Sequence, residues 1–274
     1  MRVLVRVGVA ATERTSGALL VLVALATLVF LALRILPGDP AALVLGDQAP
    51  EASRAALRAR LGLDRPLPQQ YLQFLAGLCT LDLGDSLTRP GVGAFDEVAR
   101  SLGPTAALAA TAVAGGAVLG IGAGVLSVGP WLGARREWAH RAILVVAASP
   151  LLAFAPLVTF LFAVEWRLVP LPGDPESGLM GLGFAAGLLA LPLAAQVGRI
   201  TRAALLGLGR ARFLDVAAAK GGSPARVSFV HALPVASAPI AVVIATQLGA
   251  LLGGAVVLER LFERPGLGTL MLNA

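Results

Sequence analysis

Five stretches of this chain carry no Asp, Glu, Lys or Arg, and each is long enough to cross a lipid bilayer. The gaps lie between Arg14 and Arg34, Arg100 and Arg135, Arg141 and Glu165, Glu176 and Arg199, and Arg226 and Glu259. A spanning helix needs about 20 predominantly apolar residues, since lipid offers its backbone no hydrogen-bond partners. The gaps predict spans at about 16–36, 104–128, 142–164, 177–198 and 234–258. Composition agrees: 57% of residues are hydrophobic and 14% charged, against about a quarter charged in a soluble domain. A buried soluble core can absorb one such run; five in succession leave it no polar exterior. Arginines precede the first run, as in a secretory signal. Its apolar stretch, Ala18 to Leu33, is longer than a signal's apolar region and no A-x-A-like site follows, so it reads as a retained helix. The expectation is an all-α membrane protein, one transmembrane domain over 1–274.

The basic residues orient it. Short cytoplasmic loops carry an excess of Lys and Arg. Arg2, Arg6 and Arg14 precede span one. Arg135, Arg136 and Arg141 separate spans two and three. Arg199, Arg202, Arg210, Arg212, Lys220 and Arg226 separate spans four and five. These regions alternate correctly for a cytoplasmic N-terminus and a cytoplasmic loop at 199–233. The loop between spans three and four sets Arg167 against Glu165, Asp174 and Glu176, and reads as external. The 37–103 loop is long, and long loops cross largely regardless of charge. It reads as an external helical loop, with helices over 50–63 and 68–81 and a short amphipathic one over 95–102 leading into span two. It serves either as a cap on the membrane domain or as a docking surface for a delivery protein. The net charge of +6 thus reflects topology. No nucleic-acid partner is expected, because the bases sit beside spans without a binding motif.

The sequence offers little to reaction chemistry. It lacks the G-x-x-x-x-G-K-[ST] phosphate loop, so ATP hydrolysis belongs elsewhere. The histidines, His140 and His231, have no Cys, Asp or Glu at ligand spacing, and no metal or cofactor is expected in this chain. Cys79 is alone and forms no intrachain disulfide. Ser127, Ser149 and Ser237 lack a nearby base. No acid or base lies deep in a span, which removes the usual residues of an ion-coupled carrier. Gln196, Ser237, Thr246 and Gln247 are polar residues within spans four and five, and are the candidates to line a path. Gly116, Gly120 and Gly124 recur every four residues in span two, as do Gly249 and Gly253 in span five. Small residues let helices approach closely in lipid; the faces serve static packing or sliding.

The loop before span five has its own pattern. A small-residue helix through Ala217, Ala218 and Ala219 is broken at Gly221-Gly222, and a new helix starts at Ser223-Pro224. Ser suits an N-cap and Pro the first helical position. The alanines leave a shallow surface that another protein's groove can approach. The spacing resembles the E-A-A-x3-G-x9-I-x-L-P signature of ABC-importer permeases. Asp215, Val216, Ala217 and Gly221 match its first part; His231, Leu233 and Pro234 match its last.

The resemblance narrows along the chain. Leu33-Arg-Ile-Leu-Pro-Gly-Asp-Pro40, Leu61-Gly-Leu-Asp-Arg-Pro66, Gln70-Tyr71, Asp82-Leu-Gly-Asp-Ser86, Ala217-Ala-Ala-Lys-Gly221, His231-Ala-Leu233 and Pro265-Gly-Leu-Gly268 occur in that order. Together they resemble the B-type inner-membrane permease subunits of dipeptide, oligopeptide and nickel importers, from about residue 16 onward. The resemblance implies the ABC-importer permease fold in a bacterial cytoplasmic (inner) membrane. It also implies a C-type permease partner, two cytoplasmic ATP-binding subunits that use ATP and Mg, and an extracytoplasmic solute-binding protein. It makes 199–233 the coupling loop, with Asp215, Val216, Ala217, Ala218, Ala219, Lys220, Gly221, Ser223 and Pro224 docking into the ATPase. Peptides are the expected cargo. Nickel, another small solute, or a non-conducting scaffold role stay open. Asp215 stands for the signature's Glu, Val216 is bulkier than its Ala, and His231 replaces an aliphatic residue. Family members continue into a sixth span, whereas this sequence stops at Ala274, so about five spans are expected, with Thr269–Ala274 as a helix cut short.

Overall fold

A computed structural model describes residues 2–35, 42, 45, 46, 48–86, 89, 91–209 and 211–273. Pro37 to Pro40, Thr88, Arg210 and Ala274 lie outside them. The helices are α1 (Arg2–Ile35), α2 (Glu51–Arg60), α3 (Leu67–Thr80), α4 (Ala94–Leu126), α5 (Arg135–Ala148), α6 (Leu151–Thr159), α7 (Gly178–Leu208), α8 (Arg212–Ala219), α9 (Pro224–Arg226), α10 (Leu233–Leu261) and α11 (Leu267–Asn273). Wide π turns follow α6 at Phe160–Glu165 and α9 at Val227–Ala232. Among the described residues no strand forms, only a bridge between Asp85 and Gly93. The chain divides into two compact units, Met1–Glu97 and Val98–Ala274.

In the first unit, α3 is held against the end of α1. Phe30 is buried, with ring centroids 5.3 Å from Tyr71 and 5.6 Å from Phe74. The hydroxyls of Thr27 and Tyr71 share a 2.7 Å hydrogen bond. Arg34 donates through Nε to Gln70 Oε1 at 3.0 Å and lies over the Phe30 ring. Gln70 in turn donates to the carbonyls of Leu63 and Arg65, closing the turn between α2 and α3. The helix expected over 50–63 is present in shorter form, as Glu51–Arg60, and the one expected over 68–81 is present one residue earlier, as Leu67–Thr80. The short helix expected over 95–102 is instead continuous with α4. Pro104 removes one ladder hydrogen bond, and the carbonyl it orphans belongs to exposed Arg100, so the helix runs on.

The second unit is built around α7. Twelve of its residues are buried, among them Leu189, Leu193, Val197 and Leu205, which identifies it as the central element. One face meets the glycines of α4. A methyl group on Gly116 would stand 2.8 Å from Leu193, one on Gly120 2.6 Å from the Ala194 carbonyl, and one on Gly124 2.5 Å from Thr201. Another face packs on α10 through a core that includes Ile240, Leu251, Ala255 and Leu258. Ile143 of α5 is buried and lies beside Gly198.

The expected span at 142–164 is not one straight helix. α5 and the segment Leu151–Glu165 meet at 104°. Pro150 is the cause. Its ring drives the preceding residue out of helical conformation, and Ser149 is extended, at φ −85° and ψ 118°. Among the described residues four helices are long and apolar enough to cross a membrane, or five if this bent pair is one span.

Candidate functional site

The segment 209–233 joins α7 to α10 and holds the residues singled out as the loop motif. α8 has no buried residue. Leu214 and Ala217 are half-buried, while Phe213 (42% exposed) and Val216 (53%) face outward with Asp215. Two large apolar side chains at i and i+3 therefore stand exposed on one face of this short helix.

The end of α8 follows from its glycines. Gly221 N–H donates to the Ala218 carbonyl at 2.9 Å and Gly222 N–H to the Ala217 carbonyl at 3.1 Å. This pair is a Schellman ending, which needs a left-handed residue just past the helix. Gly221 supplies it at φ +83°. Gly222 serves close approach instead, since a methyl group there would stand 2.8 Å from the Ala217 carbonyl. Ser223 is extended, and its hydroxyl accepts from Arg226 N–H at 3.3 Å, with Pro224 next in the first helical position. The chain thus turns sharply between two short, exposed helical pieces.

The return arm is tied to the neighbouring loop. Phe229, in the π turn, stacks near Trp131 with centroids 6.4 Å apart. Leu233 N–H reaches the Ser228 carbonyl, five residues back, next to Pro234, which has no N–H to give. Arg202 of α7 donates to the Ser127 carbonyl at the end of α4. The far ends of α4 and α7 and the 130–132 turn are thereby tied together beside the loop.

The residues singled out as path candidates lie on α7 and α10, apart from the loop. Gln196, Ser237 and Thr246 are exposed and Gln247 is half-buried. The Ser237 and Thr246 hydroxyls donate to carbonyls of their own helix, Pro234 at 2.7 Å and Val243 at 2.9 Å. What they present outward is acceptor lone pairs. His140 and His231 belong to different segments, and among the described residues no group of three or more His, Cys, Asp or Glu gathers. One residue escaped the sequence reading. Glu259 is 1% exposed, one position past the expected end of span five. The signal for it was the Pro265-Gly-Leu-Gly268 string that follows.

Residues 116–274 match the family model of the binding-protein-dependent transport system inner membrane component, and residues 9–91 match the model of its N-terminal region. The glutathione transport system permease protein GsiC of Pectobacterium atrosepticum is 33% identical over 268 residues, which is 96% of this chain and 85% of that protein. GsiC of Escherichia coli (strain K12) is 32% identical over the same shares. The probable peptide ABC transporter permease protein y4tP of Sinorhizobium fredii is 30% identical over 277 residues, 97% of this chain and 87% of its own. These are transport permeases and not enzymes. Model and relatives cover nearly the whole chain, and its apolar helices fit a multi-pass protein of the bacterial inner membrane. The chain belongs to the inner-membrane components of binding-protein-dependent transport systems, as a permease subunit of an ABC importer.

Proposed function

We propose that this permease carries short peptides, glutathione among them, and that α8 is the segment seated in the ATP-hydrolysing subunits. The membership implies a second permease, ATPase subunits and a solute-binding protein. On our reading these are one C-type permease, two cytoplasmic ATP-binding subunits, and an extracytoplasmic binding protein that selects the cargo. One observation carries the coupling assignment: no residue of α8 is fully buried, Phe213 and Val216 face outward, and the helix ends in a tightly specified turn. An exposed apolar pair on a short, firmly bounded helix suits insertion into another protein's groove. Asp215, Ala218, Ala219 and Lys220 complete the exposed surface.

The peptide assignment rests on the relatives' names. Uncharged polar groups suit a peptide, which brings its own charges. Gln196, Ser237, Thr246 and Gln247 are the residues we assign to the path. The arginine pattern of the short loops supports a cytoplasmic N-terminus and 199–233 loop, and an external 37–103 loop.

The test is uptake by the complex reconstituted with its neighbouring-gene subunits, using labelled glutathione, a labelled dipeptide and nickel-63 in parallel. Uptake of either peptide, driven by ATP, is expected. Nickel uptake alone overturns the cargo assignment. Gly221→Val is expected to leave ATP hydrolysis running while uptake falls by about tenfold or more, because the turn that seats α8 loses its left-handed residue. Normal uptake in that variant refutes the coupling assignment.

A further inference from the structure

Glu259 ends a membrane helix as a buried acid whose partners are neutral. Its Oε1 accepts from the Thr105 hydroxyl at 2.5 Å. Its Oε2 accepts from Gly268 N–H at 2.8 Å and Thr269 N–H at 3.3 Å. Thr105, itself 1% exposed, accepts from Leu267 N–H at 2.8 Å. Three separate segments converge on this carboxylate: α4 at Thr105, the last turns of α10, and the start of α11.

The surrounding glycines are shaped for it. A methyl group on Gly266 would collide with the Glu259 carboxyl, and one on Gly268 with the Val256 backbone. Thr269 closes the turn by accepting from Gly266 N–H at 3.0 Å, and Arg264 N–H donates to the Glu259 carbonyl at 2.8 Å. Ionisable groups are costly beside lipid and are kept where their partners are in place. Pulling any one segment away strips donors from a buried carboxylate, which penalises opening far more than it penalises a change elsewhere. The three segments therefore hold or part together.

We propose that Glu259 is a positioning residue of the transport cycle: it locks α4 at Thr105, the end of α10 and the 265–268 turn into one body that stays closed while the rest of the membrane domain moves. The lock is made of hydrogen bonds, not of an ion pair, and this distinguishes it from a role for charge. Glutamine can make the same set. Its Oε1 accepts from Gly268 and Thr269, its Nε2 donates to Thr105 Oγ1, and the Thr105 hydroxyl turns to the Ser101 carbonyl, 3.3 Å away. Alanine can make none of it.

The inference rests on the permease membership and on neither the orientation nor the coupling assignment. The test reads a buried cysteine. Ala255 lies one turn before Glu259 and is fully buried; it becomes the reporter in Ala255→Cys, with the exposed Cys79 changed to Ser. The assembled complex sits in nanodiscs, where a soluble maleimide meets both membrane faces, and ATP hydrolysis shows that it is intact. With Glu259 present, labelling is expected to be slow with and without ATP turnover. Glu259→Ala should label about tenfold faster, since the hydrogen bonds that hold the three segments are lost from a local opening equilibrium. Glu259→Gln should label at the parent rate. Thr105→Val keeps the shape, removes the links to Glu259 and to Leu267 N–H while leaving Gly268 and Thr269 on the carboxylate, and should fall between; it carries the test if Glu259→Ala does not assemble. The proposal fails if labelling of the parent rises during ATP turnover. It fails equally if Glu259→Gln opens as much as Glu259→Ala, or if neither Glu259→Ala nor Thr105→Val opens the site.

Discussion

Two glycine faces in this molecule share one spacing and differ in what they meet. Gly116, Gly120 and Gly124 of α4 press onto α7 so closely that no methyl group fits. Gly249 and Gly253 of α10 have nothing within 4 Å of the same imagined methyl. α10 packs on α7 with its other side, through Ile240, Leu251, Ala255 and Leu258. The comparison teaches what a small-residue stripe does and does not say. It says that two backbones can come close in lipid, where packing rather than water exclusion drives association. It does not say that a partner within the same chain takes the place.

The first way to break the comparison is to fill the covered face. A methyl group on Gly124 would stand 2.5 Å from Thr201 Cβ and 2.8 Å from the Gly198 carbonyl, and backbone cannot step aside. Gly124→Leu should abolish the packing of α4 on α7. The expected outcome is loss of folded protein from the membrane fraction. A variant that purifies at parental yield with an unchanged melting temperature would show that the α4–α7 contact is dispensable.

A graded version sharpens the same point. Gly120→Ala adds one methyl 2.6 Å from the Ala194 carbonyl and 2.7 Å from Val197 Cβ. Overpacking of this kind typically costs about 1–3 kcal/mol. Thermal unfolding in detergent should show a lowered midpoint with the protein still folded. No shift would mean that the two helices separate by most of an ångström without penalty.

How much of this was legible in the sequence depends on range. The five apolar runs are one-dimensional facts, and four of them lie in single long helices where they predict, because lipid leaves a backbone almost no other choice. The turn after Ala219 was legible too, since Gly221, Ser223 and Pro224 each have a local conformational reason to be there. The bend at Ser149-Pro150 was legible in part: Pro150 marked a perturbed helix, but its size, 104°, is set by packing. Glu259 was missed because its partners lie 154 and 9 residues away. An acid at the end of an apolar run looks like a membrane-boundary residue until three segments are seen to close over it. Which glycine face is covered was likewise invisible, since spacing alone is identical for both.

Gly221 offers a third kind of glycine, required by its own backbone and by no neighbour. Nothing lies within 4 Å of an added methyl there, yet φ is +83°. Gly221→Ala should therefore cost about 1 kcal/mol through backbone strain alone. The same methyl at Gly120 acts through contact. The two can be told apart by a second change: Val197→Ala should partly relieve Gly120→Ala, whereas no nearby truncation should relieve Gly221→Ala. A double-mutant cycle on melting midpoints checks this. Relief of both, or of neither, would erase the distinction between contact and conformation.

The smallest effect is expected where the open face is filled. A methyl group on Gly253 would meet no atom within 4 Å, and a side chain at this position points away from the buried stripe of α10. Leucine is also the better helix former, by about 0.5–1 kcal/mol. The isolated chain should unfold at the same temperature or slightly higher, in contrast to Gly124→Leu on the covered face. In the assembled importer the result should differ. Small residues are enriched where membrane helices meet, and a second permease is the neighbour we assign to this chain. Co-purification with that partner should fall in Gly253→Leu while the chain itself stays folded. Loss of the chain alone would mean that the face is covered from within. Unchanged assembly would mean that it faces lipid, and that the repeated glycines of α10 serve no contact at all.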